Sequence, residues 1–215
     1  MNSIKLKFLT TLAILLLSGC ASQSNSEQEG DPLVSQFLQQ SREFRCQDDA
    51  CLRYAEALAD KPNRTGWLSS VLIEPGLEIG LFEPVKRYVY AGDMAIFMLS
   101  SDKQIALQTL NYSDFVPAEY PQRPPVSEFF RCGFDGDSDI ADQSVCNAAL
   151  QLKSIFGLTH LKRYESKKYL LYSGYDVVQE KIFSFIVPKN PERSVVYLYE
   201  TKGISQEDTI SILQW

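Results

Sequence analysis

The chain has 215 residues, 45% hydrophobic and 22% charged, with 27 acidic against 21 basic side chains and a formal charge of −6. A sequence pI near 4.9 argues against a nucleic-acid-binding domain, which needs a basic footprint. A single histidine removes metal sites built on two or more imidazoles, and the hydrophobic share is that of a globular chain rather than a disordered one.

Taken in chain order, Lys5 and Lys7 form a positive segment followed by the apolar run Phe8 to Leu17. That run is about half of the roughly 20 residues that span a bilayer as a helix, and the layout is that of an export signal. It ends in Leu17-Ser18-Gly19-Cys20. Here the chain resembles a bacterial lipoprotein, whose lipobox is a Leu, small residues and then a Cys. The resemblance implies that residues 1–19 are a cleaved signal peptide and that Cys20 is acylated on its thiol and amino group. Two or more acyl chains hold a protein firmly to a membrane. Ala21 and Ser22 lack the Asp that marks inner-membrane retention in enteric lipoproteins, so the analogy implies the outer membrane, with the body facing the periplasm. Loss of Lys5 and Lys7 takes the formal charge from −6 to −8. Residues 20–31 carry the lipid-bearing Cys20 and a polar, flexible tether.

Four cysteines remain: Cys46, Cys51, Cys132 and Cys146. An even number in an oxidising compartment predicts two disulfides. Three connectivities are possible, and the simplest joins Cys46 to Cys51 and Cys132 to Cys146. Neither pair is a C-x-x-C redox motif. Leu33, Phe37, Leu38 and Phe44 recur at helical spacing, as do Cys51, Tyr54, Ala55 and Leu58. A 46–51 bridge would require a break in any helix near Gln47-Asp48, because residues five apart on one helix point away from each other.

Strands are predicted over Tyr88–Tyr90, Ala95–Leu99 and Ile105–Leu110. A proline-rich segment, residues 117–125, reads as an extended connector. Beyond it, Val145, Ala149, Leu152 and Phe156 form a helical apolar stripe that Gly157 stops. Further strands are expected over Tyr169–Tyr172, Ile182–Val187 and Val195–Tyr199, with Pro188 to Pro191 as a hairpin turn. Ser205-x-x-Asp208 reads as a capping box for a terminal helix through Ile210 and Leu213.

The halves echo each other. Phe44-Arg45-Cys46 returns as Phe130-Arg131-Cys132, Lys86-Arg87-Tyr88 as Lys167-Lys168-Tyr169, and Ile96-Phe97 as Ile182-Phe183. The alignment needs extra residues in the first half around Trp67 to Gly76. The expected fold is therefore α+β: two similar helix-plus-antiparallel-sheet units, 32–116 and 126–215, an internal duplication joined by the 117–125 connector.

No motif with a catalytic mechanism is present, neither a nucleophile elbow, nor a P-loop, nor a zinc-helix signature. His160, after the helix stop, reads as a surface or capping residue. Asp135, Asp137 and Asp139 alternate as calcium-loop ligands do. Position 6 of such a loop would be Ile140 in place of Gly, and position 12 would be Cys146 in place of Glu. A solvated acidic turn before a helix is the plainer reading, and no cofactor is expected. The basic cluster Lys162 to Lys168 reads as edge-strand charge. Together these features favour a lipid-anchored, non-catalytic protein-binding module of the envelope, such as an inhibitor or immunity-type lipoprotein. Its partners would be the membrane, through the lipid on Cys20, and an envelope protein, with no nucleic acid. An envelope-assembly or structural lipoprotein that binds an outer-membrane protein or peptidoglycan is the alternative. A carboxylate-based hydrolase is a second alternative, which needs two facing acids in a cleft, one with a raised pKa.

Overall fold

A computed structural model describes residues 53–63, 65–114, 123–136 and 143–215, all within one unit of the chain, Ser41–Trp215. The class is α+β, mostly sheet with few helices. Two antiparallel hairpins and meanders dominate because the aromatic and β-branched runs alternate with Gly, Asp and Asn turns.

Strands β1 (Glu56–Ala57), β4 (Val85–Ala91), β5 (Met94–Leu99), β6 (Gln104–Asn111), β7 (Leu158–Glu165), β8 (Tyr169–Asp176), β9 (Lys181–Pro188) and β10 (Val195–Lys202) form one eight-stranded sheet. Its order is β1-β7-β8-β9-β10-β6-β5-β4. Strands on either side of the proline-rich segment are joined directly, because β6 pairs antiparallel with β10 from Asn111↔Val195 to Gln104↔Lys202. One continuous sheet thus stands where separate sheets in two units were expected. A smaller sheet has the order β11-β3-β2, from β2 (Ser69–Glu74), β3 (Leu77–Leu81) and β11 (Leu213–Gln214). The extra residues that interrupted the sequence echo are thus the hairpin of this second sheet.

Three layers follow from period-two alternation. Tyr169, Leu171, Ile186, Tyr197, Tyr199, Ile105 and Phe97 point from the large sheet onto Leu77, Ile79, Ile212 and Leu213 of the small-sheet layer. The alternate face carries Tyr172, Phe183 and Phe185, which meet helical residues Phe130 and Phe134, and Phe156 in the turn after a helix, at ring separations of 5.0 to 6.0 Å. Covered on both sides, β9 is buried along its whole length.

The helices are α1 (Val126–Phe130), which runs on as a π turn (Arg131–Asp135), α2 (Gln143–Ile155) and α3 (Gln206–Ser211). Pro124 and Pro125 lead into α1, Pro125 standing at the N-cap position, where its missing N–H costs little. Helix α2 ends at Gly157, whose φ of 57° is the left-handed stop predicted for it. The capping box is present: Ser205 Oγ accepts from the Asp208 N–H at 3.1 Å. Its helix is shorter than predicted, however. It stops at Ser211 because Leu213 leaves to pair with Ile79 of β3.

The helical spacing through Tyr54, Ala55 and Leu58 also fails. Ala55 N–H donates to the Phe134 carbonyl at 2.8 Å and Leu58 N–H to the Arg163 carbonyl at 2.9 Å, so this stretch is an added strand. It holds β1 parallel to β7, with Glu56 opposite Lys162. Tertiary hydrogen bonds override a weak local period here. The same contact corrects the edge-strand reading of Lys162 to Lys168. β7 lies between β8 and β1, and Lys167 and Lys168 belong to the β7–β8 turn.

Cys132 and Cys146 form a disulfide, with Cα atoms 5.2 Å apart, linking the π turn to α2. The approach is close because Gly133 sits between them and the helix: a Cβ there would lie 2.6 Å from the carbonyl carbon of Ala149. The bridge closes a loop of 14 positions, which predicts about 3 kcal/mol of stabilisation through the unfolded chain. Cys132→Ser should therefore lower the unfolding free energy by about that amount. Urea titration of both chains checks it, with an m-value that rises in the variant as its unfolded state expands, and a loss below about 1 kcal/mol would contradict it.

Candidate functional site

Among the described residues, polar side chains gather in a surface groove and in a buried ionic cluster. The groove, about 580 Å³, lies where four segments meet. Asp60, Lys61 and Asn63 come from the stretch after β1, Gly76 and Glu78 from the β2–β3 hairpin, Tyr164 and Glu165 from β7, and Gln214 and Trp215 from the chain end. Lys61 ties the first of these to the last. Its Nζ donates to the Leu213 carbonyl at 2.6 Å and to Asn63 Oδ1 at 3.0 Å. It also stands 5.6 Å from the centre of the Trp215 ring, within cation–π range. Burial pulls its pKa down to about 8.

Trp215 stacks on Tyr169, ring centres 6.4 Å apart, and Tyr169 is fixed from below. Its hydroxyl donates to Glu74 of β2, which also accepts from Arg193 and, at 2.7 Å, from Tyr197. Burial pushes the Glu74 carboxyl up, but Tyr169, Tyr197 and Arg193 together hold it below its usual range. This carboxylate pins the small sheet to the large one beneath the groove.

The groove acids differ in how far they are committed. Glu165 is bridged by Lys189 at 2.6 Å and Arg131 at 3.1 Å, and Lys189 chiefly holds its pKa down. Glu78 accepts only from Ser70 Oγ, at 2.7 Å, and neither it nor Asp60 has an ion-pair partner among the described residues. The groove thus holds two carboxylates without an ion-pair partner among the described residues, in the same lining as Tyr164 and Trp215, whose indole ring already faces Lys61. The two carboxylates suit a cationic side chain.

The buried cluster centres on Asp135, at the end of the π turn. Its Oδ2 accepts from Arg163 at 2.7 Å and from the Tyr172 hydroxyl at 2.9 Å. Its Oδ1 is buried without a hydrogen-bond partner among the described residues. Burial pushes this carboxyl above its usual range, with Arg163 and Tyr172 opposing. Lys153 of α2, 1% exposed, donates to the Arg53 carbonyl at 3.2 Å and lies 5.2 Å from the Tyr54 ring centre. Burial lowers it to about 8, Asp135 opposing.

Of the residues singled out in the sequence, Cys132 and Cys146 come together, while Cys20, Cys46, Cys51, Asp137 and Asp139 lie outside the described residues. Asp135 turns inward to Arg163 and Tyr172, so in the described geometry it serves an ion pair rather than an open acidic loop. No cluster of three metal-ligating side chains occurs among the described residues. His160 is exposed with φ of 50° at the irregular start of β7, its carbonyl accepting from Gln206 at 3.1 Å. The raised carboxyl, Asp135, does not line the groove, which is not what a two-carboxylate hydrolase requires of its cleft acid. Sequence reasoning missed Lys61, Glu78 and Trp215. Nothing in their neighbourhood distinguishes them, because tertiary contacts alone assemble the groove. Lys153 carried a signal, four residues after Ala149 on the buried side of α2.

No helix among the described residues is long and apolar enough to cross a membrane. No family model matches the chain, and no curated protein or solved structure matches it either.

Proposed function

We propose that the chain is a lipid-anchored, non-catalytic protein-binding module of the bacterial cell envelope, of the inhibitor or immunity type. It is anchored through Cys20 to the outer membrane, with its body facing the periplasm. The observation that carries the reading is the groove. Asp60 and Glu78, unclaimed by any cation among the described residues, line the same groove as Trp215 on a chain of formal charge −6. Such a groove suits a Lys or Arg side chain projecting from a basic protein partner. Complementary charge of this kind raises the association rate and makes it sensitive to salt.

The experiment is capture of partners from envelope extracts by the full chain, followed by salt titration and comparison with an Asp60→Lys/Glu78→Lys double variant. One stoichiometric basic partner is expected, lost with rising salt and bound about tenfold or more weakly by the variant. Absence of a stoichiometric partner, or binding indifferent to both changes, sinks the reading. In the same cells, labelled palmitate should enter the wild-type chain and not Cys20→Ser.

We also infer that the units 32–116 and 126–215 descend from a duplication retained in the meanders β4–β6 and β8–β10. Supporting this, Ile96-Phe97 lies in β5 and Ile182-Phe183 in β9, the middle strand of each meander. Phe97 faces the small sheet and Phe183 the helices, however, so the strands correspond with an offset of one residue from the sequence echo. Superposition of the two meanders rejects it if β5 does not fall on β9.

A further inference from the structure

The two ends of the eight-stranded sheet are finished differently. At one end β1 covers β7. At the other end β4 is the last strand, and from Lys86 to Ala91 every residue is exposed. Tyr88 is 64% exposed and Tyr90 68%, and Val89 and the neighbouring Met98 are also open to solvent. Long apolar edges are ordinarily guarded by charge, proline or bulges. Here the charges, Lys86 and Arg87, and the irregularity between Val85 and Arg87 both fall at the beginning of the strand, which leaves Tyr88 to Ala91 unguarded.

The hairpin fixes which backbone groups are free. Ala91 pairs with Met94 across the two-residue turn Gly92-Asp93, with Gly92 at φ of 65°, so Ala91 and Met94 exchange hydrogen bonds. Alternation then turns the N–H and C=O of Val89 toward β5 and those of Tyr88 and Tyr90 outward. The two tyrosine rings sit edge to face, 5.6 Å apart on one face of the strand.

We propose that β4 is the contact through which two copies of this chain pair, antiparallel and about a two-fold axis at Val89. In that register Tyr88 of each copy exchanges both backbone bonds with Tyr90 of the other, which satisfies every outward group between them. Val89 faces Val89 of the second copy in the closer, non-hydrogen-bonded kind of pair. Charge selects the same arrangement. Arg87 and Asp93 have no ion-pair partner in their own chain among the described residues. Antiparallel pairing about Val89 sets Arg87 diagonal to Asp93 of the other copy, within reach of an arginine. A parallel pair would align Arg87 with Arg87, and a two-fold axis at Tyr88 would set Asp93 opposite Glu83. A single strand edge buries less than a standard interface of about 800 Å² per partner, so the dimer is expected in the micromolar range or weaker. This contact is separate from the groove and does not depend on a basic partner binding there.

The test uses the full chain in mild detergent. Val89→Cys should give a covalent dimer on gentle oxidation, at least about fivefold more than Arg87→Cys, whose two copies would stand four positions apart and beyond bridging distance. Mixed Arg87→Cys and Ala91→Cys chains should cross-link as Val89→Cys does, which covers the case of a poorly folded Val89→Cys. Tyr90→Pro removes an outward donor without removing a bond to β5, and should weaken reversible dimerisation by about tenfold or more. Cross-linking at Val89→Cys and in the mixed chains that is no greater than at Arg87→Cys overturns the proposal. So does a chain that sediments as a monomer at about 100 µM. Capture of a different envelope polypeptide by residue 89 in place of a homodimer overturns it in favour of a foreign strand.

Discussion

Asp135→Ala is expected to destabilise the protein by about 3–5 kcal/mol, the usual result of removing one member of a buried ion pair. The substitution strands two donors at once. Arg163 loses an acceptor at 2.7 Å and the fully buried Tyr172 hydroxyl one at 2.9 Å. It also removes the negative charge that helps the buried Lys153 stay protonated. Asp135→Asn can place its single amide oxygen where Oδ2 stands and keep an acceptor for both donors. It loses the charge and turns its NH2 toward the space where Oδ1 has no partner, so a milder loss of about 1–3 kcal/mol is expected. Denaturant titration of the two variants gives the comparison. An alanine variant within about 1 kcal/mol of the wild type would show that desolvating the cluster offsets its attraction. That outcome has a physical route, because Oδ1 is already buried without a partner and burial already lifts the carboxyl's pKa.

The second large effect is alkaline. Stability should rise from about pH 8 toward pH 10 and then fall steeply. The rise comes from Lys61 and Lys153, which burial lowers from 10.5 to about 8. Between those values the unfolded chain binds protons that the folded chain has released, so stability increases with pH. The fall comes from tyrosines. Burial raises Tyr112, Tyr169, Tyr172 and Tyr199 above the ordinary 10.0, and Tyr197 to about 12. Above pH 10 the unfolded chain loses phenolic protons that the folded chain keeps, which reverses the sign. Each tyrosine contributes at most about 1.4 kcal/mol per pH unit, and five acting together outweigh two lysines. Urea midpoints across this range, with phenolate absorbance followed in parallel, test the account. A decline already under way between pH 8 and 9 would contradict it.

Strands and caps were legible because their causes are local. β5, β6, β8, β9 and β10 lie where alternating aromatic and β-branched residues end at turn formers, and α2 ends where Gly157 takes a left-handed φ. Ser205 caps α3 through its own neighbour, Asp208. The misses have the opposite character. Tyr54 to Leu58 keeps a helical period yet is extended, because the carbonyls of Phe134 and Arg163, about eighty and a hundred positions away, take its N–H groups. The β2–β3 hairpin was visible only as a gap in the repeat. Its partners, Glu74 with Tyr169 and Tyr197, and Ile79 with Leu213, lie far along the chain. The groove was unreadable for the same reason. Lys61, Glu78 and Trp215 acquire a shared environment only once both sheets are stacked.

By itself the sequence determined the acidic balance, the lipobox resemblance at Cys20, the mixed α+β class and the positions of most strands. Each of these follows from composition or from residues a few positions apart. Tertiary structure alone decided that strands from both halves share one sheet and that the chain's end joins the smaller one. It also decided that Asp135 faces Arg163 and not solvent, and that β4 is left as the open edge. Strand partners, burial and ion pairing are set by which side chains exclude water together, and that depends on contacts between residues remote in the chain.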